Sequence, residues 1–134
     1  MRGRALVAGA ASGWIVVLDE PLSFWGGFDA ATGRVIDAHH PQTNAHLTDR
    51  VVLMPSGRGS SSAASVIAEA ARLGTGPAAL VILEPDEILA TGAIVVDELY
   101  GQPLPIVVVD RADYDTLARA DHAAISPDGT ITAA

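Results

Sequence analysis

Short, continuously apolar runs closed off by turn residues recur along the chain. Val51-Val-Leu-Met54, Ala78 to Leu83 and Pro105 to Val109 each predict a buried strand, too short for a helix and bounded by glycine, proline or charge. Between them the period changes. Ala63, Val66, Ile67, Ala70 and Leu73 recur at intervals of three and four, which predicts a helix over about 61–73 with these residues buried and Gly74 as its stop. Glu84 to Tyr100 is predicted helical, with acidic residues in the first turn where the helix dipole favours them and Gly92 as a point of bending or interruption. A shorter helix is expected over Asp113 to Arg119.

The two ends of the chain follow a different pattern. Ala5 to Ala8 and Trp14 to Leu18 are apolar runs separated by Gly9-Ala-Ala-Ser-Gly13, a hairpin-like arrangement. Thr32-Gly33 marks a turn before a short strand, Arg34 to Ile36. His122 to Ile125 and Thr130 to Thr132 form a terminal hairpin around Pro127-Asp-Gly129. Strands, then alternating strand and helix, then a hairpin predict an α/β class. The expected architecture is one domain over 1–134, a mixed sheet or partial β-barrel flanked by helices on one side.

Composition narrows the possible partners. With eight Lys and Arg against sixteen Asp and Glu, the net charge is −8. That offers no electrostatic footprint for nucleic acid or an anionic membrane. There is no cysteine, so disulfides, a thiol nucleophile and thiolate-ligated zinc or iron–sulfur are excluded within this chain. The basic start, Met1-Arg-Gly-Arg, has the look of a signal peptide. Its apolar stretch is cut by Gly9, Gly13 and Asp19-Glu20, so a strand and turn in a cytoplasmic protein are expected. No apolar run reaches membrane-spanning length.

Three loops carry candidate chemistry. Glu20-Pro-Leu-Ser-Phe-Trp-Gly-Gly-Phe-Asp29 places three large aromatics around a Gly-Gly pair, either as a plug for the end of a barrel or as the wall of a binding site. Asp37 to His46 holds three of the four histidines. His39 and His40 are adjacent and would face opposite ways in extended chain, with no regularly spaced carboxylate, so a solvated loop is favoured over a metal site. The most informative segment is Pro55-Ser-Gly-Arg-Gly-Ser-Ser-Ser62, between a buried strand and a helix. Its serines suit an N-cap and its glycines a positive φ. Its N–H groups and Arg58 suit an anion cradle. A serine used as a base is the third possibility, with Arg58 and the helix N-terminus stabilising the alkoxide. Neither phosphate-loop pattern is present, and no Gly-x-Ser-x-Gly elbow.

Together these blocks resemble the small subunit, or swivel domain, of the aconitase X family, over nearly the whole chain. Glu20 to Asp29, Thr32-Gly-Arg-Val-Ile-Asp37, His40-Pro41, Pro55 to Ser62 and Glu84-Pro-Asp-Glu-Ile-Leu-Ala-Thr-Gly-Ala-Ile94 follow in the family's order. The resemblance implies a swivelling β/β/α domain capping a large subunit, the two forming a hydro-lyase for a small hydroxy acid. The large subunit would carry a cysteine-ligated iron or iron–sulfur centre, and this chain no cofactor. Gly59-Ser60-Ser61 matches the superfamily turn whose serine is the base, which makes Ser60 the catalytic candidate. Substrate-binding candidates are Arg58, Gly59, Ser61, Ser62, Ser23, Trp25, Gly26 and His40. The superfamily arginine after Gly-Ser-Ser is replaced by Ser62, so Arg58 is the candidate to take over anion binding. The Phe-Trp-Gly-Gly loop, His40-Pro41 and Arg58 resemble the type that dehydrates cis-3-hydroxy-L-proline, ahead of the type acting on mevalonate 5-phosphate. Asn44 and Asp49 stand where the family has glycine, and both residue types tolerate a left-handed backbone. A face around Trp25, His40 and Ser60 is expected to be exposed and to become buried only against the large subunit. The contrasting expectation is a non-catalytic anion- or metabolite-binding domain with a pocket closed by its own residues.

Overall fold

The computed structural model describes residues 1–58 and 62–134. Seven strands form one sheet in the order β1-β7-β6-β5-β2-β8-β9. They are β1 (Arg4–Val7), β2 (Ala11–Val17), β5 (Val51–Met54), β6 (Ala79–Ile82), β7 (Ile106–Val108), β8 (His122–Ile125) and β9 (Ile131–Ala133). β3 (Phe28–Asp29) and β4 (Arg34–Val35) pair separately. The central four strands, β2, β5, β6 and β7, run parallel, and β1, β8 and β9 are antiparallel to their neighbours. The two sheet edges then meet. Arg2 bridges Thr130, and Ile131 N–H donates to the Met1 carbonyl at 2.8 Å. The sheet therefore curls into a partial barrel, as the pattern predicts.

β5 and β6 are buried at every position, because both faces of the sheet are covered. Val52, Met54, Leu80, Ile82 and Ile106 lie beneath α2 (Ala63–Leu73) and α3 (Glu87–Tyr100). Val51, Leu53, Val81 and Val107 face α4 (Arg111–Ala118), which contributes Tyr114 and Leu117. Helices thus flank both faces, not one.

The expected N-terminal hairpin does not form. β1 pairs with β7, and β2 is inserted between β5 and β8. Gly13 is a strand residue, where a Cβ would lie 2.5 Å from the Asp49 carbonyl. It marks a close backbone approach, not a turn. Two further expectations change. Leu73, at the C-terminal end of α2, is 44% exposed. Gly92 neither breaks nor bends α3; its missing Cβ lets α2 approach, with Ala64 Cα 3.2 Å from where that carbon would be.

Asn44 and Asp49 are the non-glycine residues with positive φ among those described, at 73° and 58°. Their amides donate to Val35 and Gly76 carbonyls, so the left-handed geometry is tied into the fold. Asp49→Gly should leave the urea midpoint nearly unchanged, whereas Asn44→Gly also deletes the hydrogen bond that Arg34 donates to Asn44 Oδ1 at 2.6 Å and should lower it slightly. Alanine at either position should lower stability by about 1–2 kcal/mol, the usual cost of a Cβ in that region. Tyr114 offers a pH test. Burial pushes its phenol up to about 12, only partly opposed by Arg111. Its folded pKa lies above the ordinary value of about 10. The stability it contributes is therefore present below pH ~10 and is lost as pH rises toward ~12. Absorbance titration of a Tyr100→Phe variant should show the remaining phenol ionising near the upper value.

Candidate functional site

The parallel strands end where helices α2 and α3 begin, the edge at which open α/β sheets hold ligands. After β5, the Pro55 carbonyl accepts from Leu83 N at 3.1 Å and Glu84 N at 3.3 Å, which ties the exits of β5 and β6 together. Asp86 then caps α3, its Oδ1 accepting from Ile88 N at 2.9 Å and Leu89 N at 3.0 Å. Gly57 passes directly against this cap, and any Cβ there would collide with the Asp86 carboxylate. On its other side Gly57 bridges Leu22, and Arg58 N–H donates to the Leu22 carbonyl at 3.2 Å. Three segments distant in sequence converge at the start of the serine turn.

Arg58 is exposed. Gly59, Ser60 and Ser61, the base candidate and two of the binding candidates, lie outside the described residues. At Ser62 the chain enters α2, and the Ser62 carbonyl accepts from Ser65 N at 3.2 Å and Ser65 Oγ at 2.8 Å.

The aromatic loop divides between its two anticipated roles. Phe24 and Phe28 are buried against each other, ring centroids 5.3 Å apart. They plug. Between them α1 (Phe24–Gly27) is a single turn rather than a true helix. Trp25 (φ −79°, ψ 113°) and Gly26 (φ 81°, ψ −16°) have type II β-turn values. Gly26 is required by conformation, since nothing lies within 4 Å of a Cβ there. The turn throws Trp25 outward, 57% exposed. Ser23 Oγ donates to the Trp25 carbonyl at 3.0 Å. Trp25, Gly26, Phe28 and Ala30 make one side of an open groove, and Ser65, Val66 and Glu69 of α2 the other. Glu69 is held ionised by hydrogen bonds from Arg72, which keep its carboxyl below the usual range.

Ser23, Trp25, Gly26, Arg58 and Ser62 are therefore gathered around one strand-end, whereas His40 is not exposed there. It is 6% exposed and bound to Glu20 at the start of that loop. The physical reason is that both ring nitrogens are hydrogen-bonded, Nε2 with the Glu20 carbonyl and Nδ1 with Gln42 N–H, each at 3.0 Å. The sequence gives no direct sign of the Leu22 carbonyl, since every residue carries one. Asp86 was visible in principle, as an Asp ahead of a helical run.

Among the described residues no group of three or more His, Asp or Glu stands close enough to hold a metal ion. With no cysteine either, these residues do not fit an iron or iron–sulfur centre. No described helix is long and apolar enough to cross a membrane.

A curled mixed sheet with helices on both faces and an open groove beside an aromatic turn defines an α/β domain. The family model for the aconitase X swivel domain matches residues 1–133, and the chain belongs to that family. It is 49% identical over 115 residues to the cis-3-hydroxy-L-proline dehydratase of Pseudomonas aeruginosa, a match covering 86% of this chain and 20% of that protein. The chain thus spans about a fifth of that relative's length. It is 41% identical over 114 residues to the phosphomevalonate dehydratase small subunit of Methanothermobacter thermautotrophicus, covering 85% of this chain and 81% of the relative. The crystal structure of Thermococcus kodakaraensis aconitase X in its holo-form superposes with a TM-score of 0.84 at 28% identity, covering 99% of this chain and 96% of that one.

Proposed function

We propose that this chain is the small, swivelling subunit of a cytoplasmic aconitase X-type hydro-lyase that dehydrates cis-3-hydroxy-L-proline. Ser60 acts as the base on the hydrogen α to the carboxylate, and Arg58 with the N–H groups at the start of α2 receives the carboxylate. The observation that carries this proposal is the half-site itself. The Leu22–Arg58 hydrogen bond brings an exposed tryptophan turn close to Arg58, where the serine segment begins, and the groove between Trp25 and α2 is open to solvent. A self-sufficient metabolite-binding domain would close such a groove with its own side chains. Here the closing surface is assigned to a large subunit, which also supplies the iron or iron–sulfur centre that the described residues do not fit.

Dehydration removes the α-hydrogen and the β-hydroxyl as water, and this chain's part is the proton. A serine hydroxyl is a weak base unless its alkoxide is stabilised, and a helix N-terminus beside a guanidinium supplies that stabilisation. Swivelling of the cap over bound substrate excludes bulk water during the step. The 49% identity to a cis-3-hydroxy-L-proline dehydratase favours that substrate. Mevalonate 5-phosphate is the second candidate, favoured by the match along most of a separately encoded small subunit.

The test is to look for a cysteine-containing large chain in the neighbouring reading frames and to co-express it with this one. The purified pair should release water from cis-3-hydroxy-L-proline, and neither chain should do so alone. Turnover of mevalonate 5-phosphate in its place would transfer the assignment to the second substrate. Activity or tight substrate binding by the small chain alone would overturn the half-site.

A further inference from the structure

Behind the aromatic loop lies a hydrogen-bonded tie that the proposed chemistry does not use. Gln42 N–H points at His40 Nδ1 at 3.0 Å. A main-chain N–H only donates, so Nδ1 must offer its lone pair and the ring proton resides on Nε2. Nε2–H donates in turn to the Glu20 carbonyl at 3.0 Å. Gln42 adds a second link between the same two segments. Its Oε1 accepts from Asp19 N at 2.9 Å, and its Nε2 donates to Asp19 Oδ2 at 2.7 Å. Residues 40 and 42 therefore grip residues 19 and 20 through backbone and side chain together. Two positions further along, Leu22 is 1% exposed and its carbonyl receives Arg58 N–H.

We infer that His40 is a positioning residue. In its Nε2–H tautomer it anchors Glu20, and through Leu22 it sets where Arg58 and the serine turn begin, without touching substrate. This role differs from the substrate contact that the family resemblance implies for His40. Its kinetic consequence rests on the proposed dehydratase activity; its structural consequence does not.

Two substitutions separate the links. His40→Asn keeps an acceptor near Nδ1 for Gln42 N–H and is too short to reach Glu20. His40→Gln can place an N–H near the position of Nε2. Hydrogen exchange at the Arg58 amide, measured on this chain alone, should be roughly tenfold faster in His40→Asn and close to wild type in His40→Gln, on the scale of one lost buried hydrogen bond. In the assembled enzyme, His40→Asn should lower kcat roughly tenfold with KM little changed, and His40→Gln should recover most of that loss. Unchanged Arg58 exchange in His40→Asn would overturn the tie. An equal loss in both variants, concentrated in KM, would overturn the positioning role and return His40 to substrate contact. Should His40→Asn fail to fold, the wild-type ring decides: NMR of its two nitrogens should show Nε2 protonated and Nδ1 bare, and an Nδ1–H tautomer would overturn the tie. A wild-type pair inactive on cis-3-hydroxy-L-proline would defeat the proposed function while the exchange measurement still decides the tie.

Discussion

Ser60→Ala is expected to abolish turnover of the reconstituted enzyme, by a factor of about 10² to 10⁴, while the two subunits still co-purify. The magnitude is that of losing a positioned general base. The fold has little reason to respond, because the substitution removes one oxygen and the helix beyond it is held by other means. Ala63, Ile67 and Ala70 pack α2 into the core, and Ser65 closes the first turn onto the Ser62 carbonyl. Ser62→Ala is the comparison, because it alters the same turn without removing the proposed base, and it should keep a substantial fraction of activity. Single-turnover rates on cis-3-hydroxy-L-proline, alongside size-exclusion of the pair, measure both quantities. Near-normal turnover in Ser60→Ala would refute the base assignment.

Gly92→Val carries the largest expected cost in stability, about 2–3 kcal/mol, from overpacking a close helix contact. A Cβ at Gly92 would stand 3.2 Å from both Ala64 Cα and Ile67 Cδ1. The backbone atom cannot rotate away, so α2 must move. Alanine is a milder case, since about 1 kcal/mol of helix propensity offsets part of the crowding. Valine adds two methyl groups beyond a Cβ that is already crowded against Ala64 and Ile67. Because Ala64 lies in the first turn of α2, displacement there also shifts the exit of the serine turn. Urea denaturation of this chain should show a lower midpoint, and the assembled enzyme a lower kcat. A wild-type midpoint would mean that the two helices are not in close contact at Gly92.

Much of the fold was legible along the chain because its signals are local. The continuous apolar runs at 51–54, 78–83 and 105–109 are too short for helices and fit strands buried on both faces, and β5, β6 and β7 lie there. The three-and-four spacing from Ala63 places α2 to within two residues at its start, and Gly74 ends it at φ 74°. Pro127-Asp-Gly129 makes the turn between β8 and β9, where Asp128 Oδ1 accepts from Thr130 N at 2.9 Å. Asn44 and Asp49 substitute for glycine because their short polar side chains tolerate the backbone they must adopt.

Other features depend on which backbone meets which, and periodicity carries no information about that. The run of residues 5–8 reads the same whether it pairs with the next strand or, as it does, with β7 some hundred residues later. Phe24, Trp25 and Phe28 have similar hydrophobicity, and only the type II turn at Trp25-Gly26 sends one outward and the others in. His40 could not be told from a solvent-facing histidine until Glu20 and Gln42 were placed around it. The sequence by itself determined most of the elements, the left-handed positions and the residue types of the serine turn, since each follows from a few neighbouring side chains. Only the tertiary structure decided the strand order, the burial of His40 and the meeting of Leu22 with Arg58. Those contacts join segments far apart in the chain, and main-chain groups common to every residue make them.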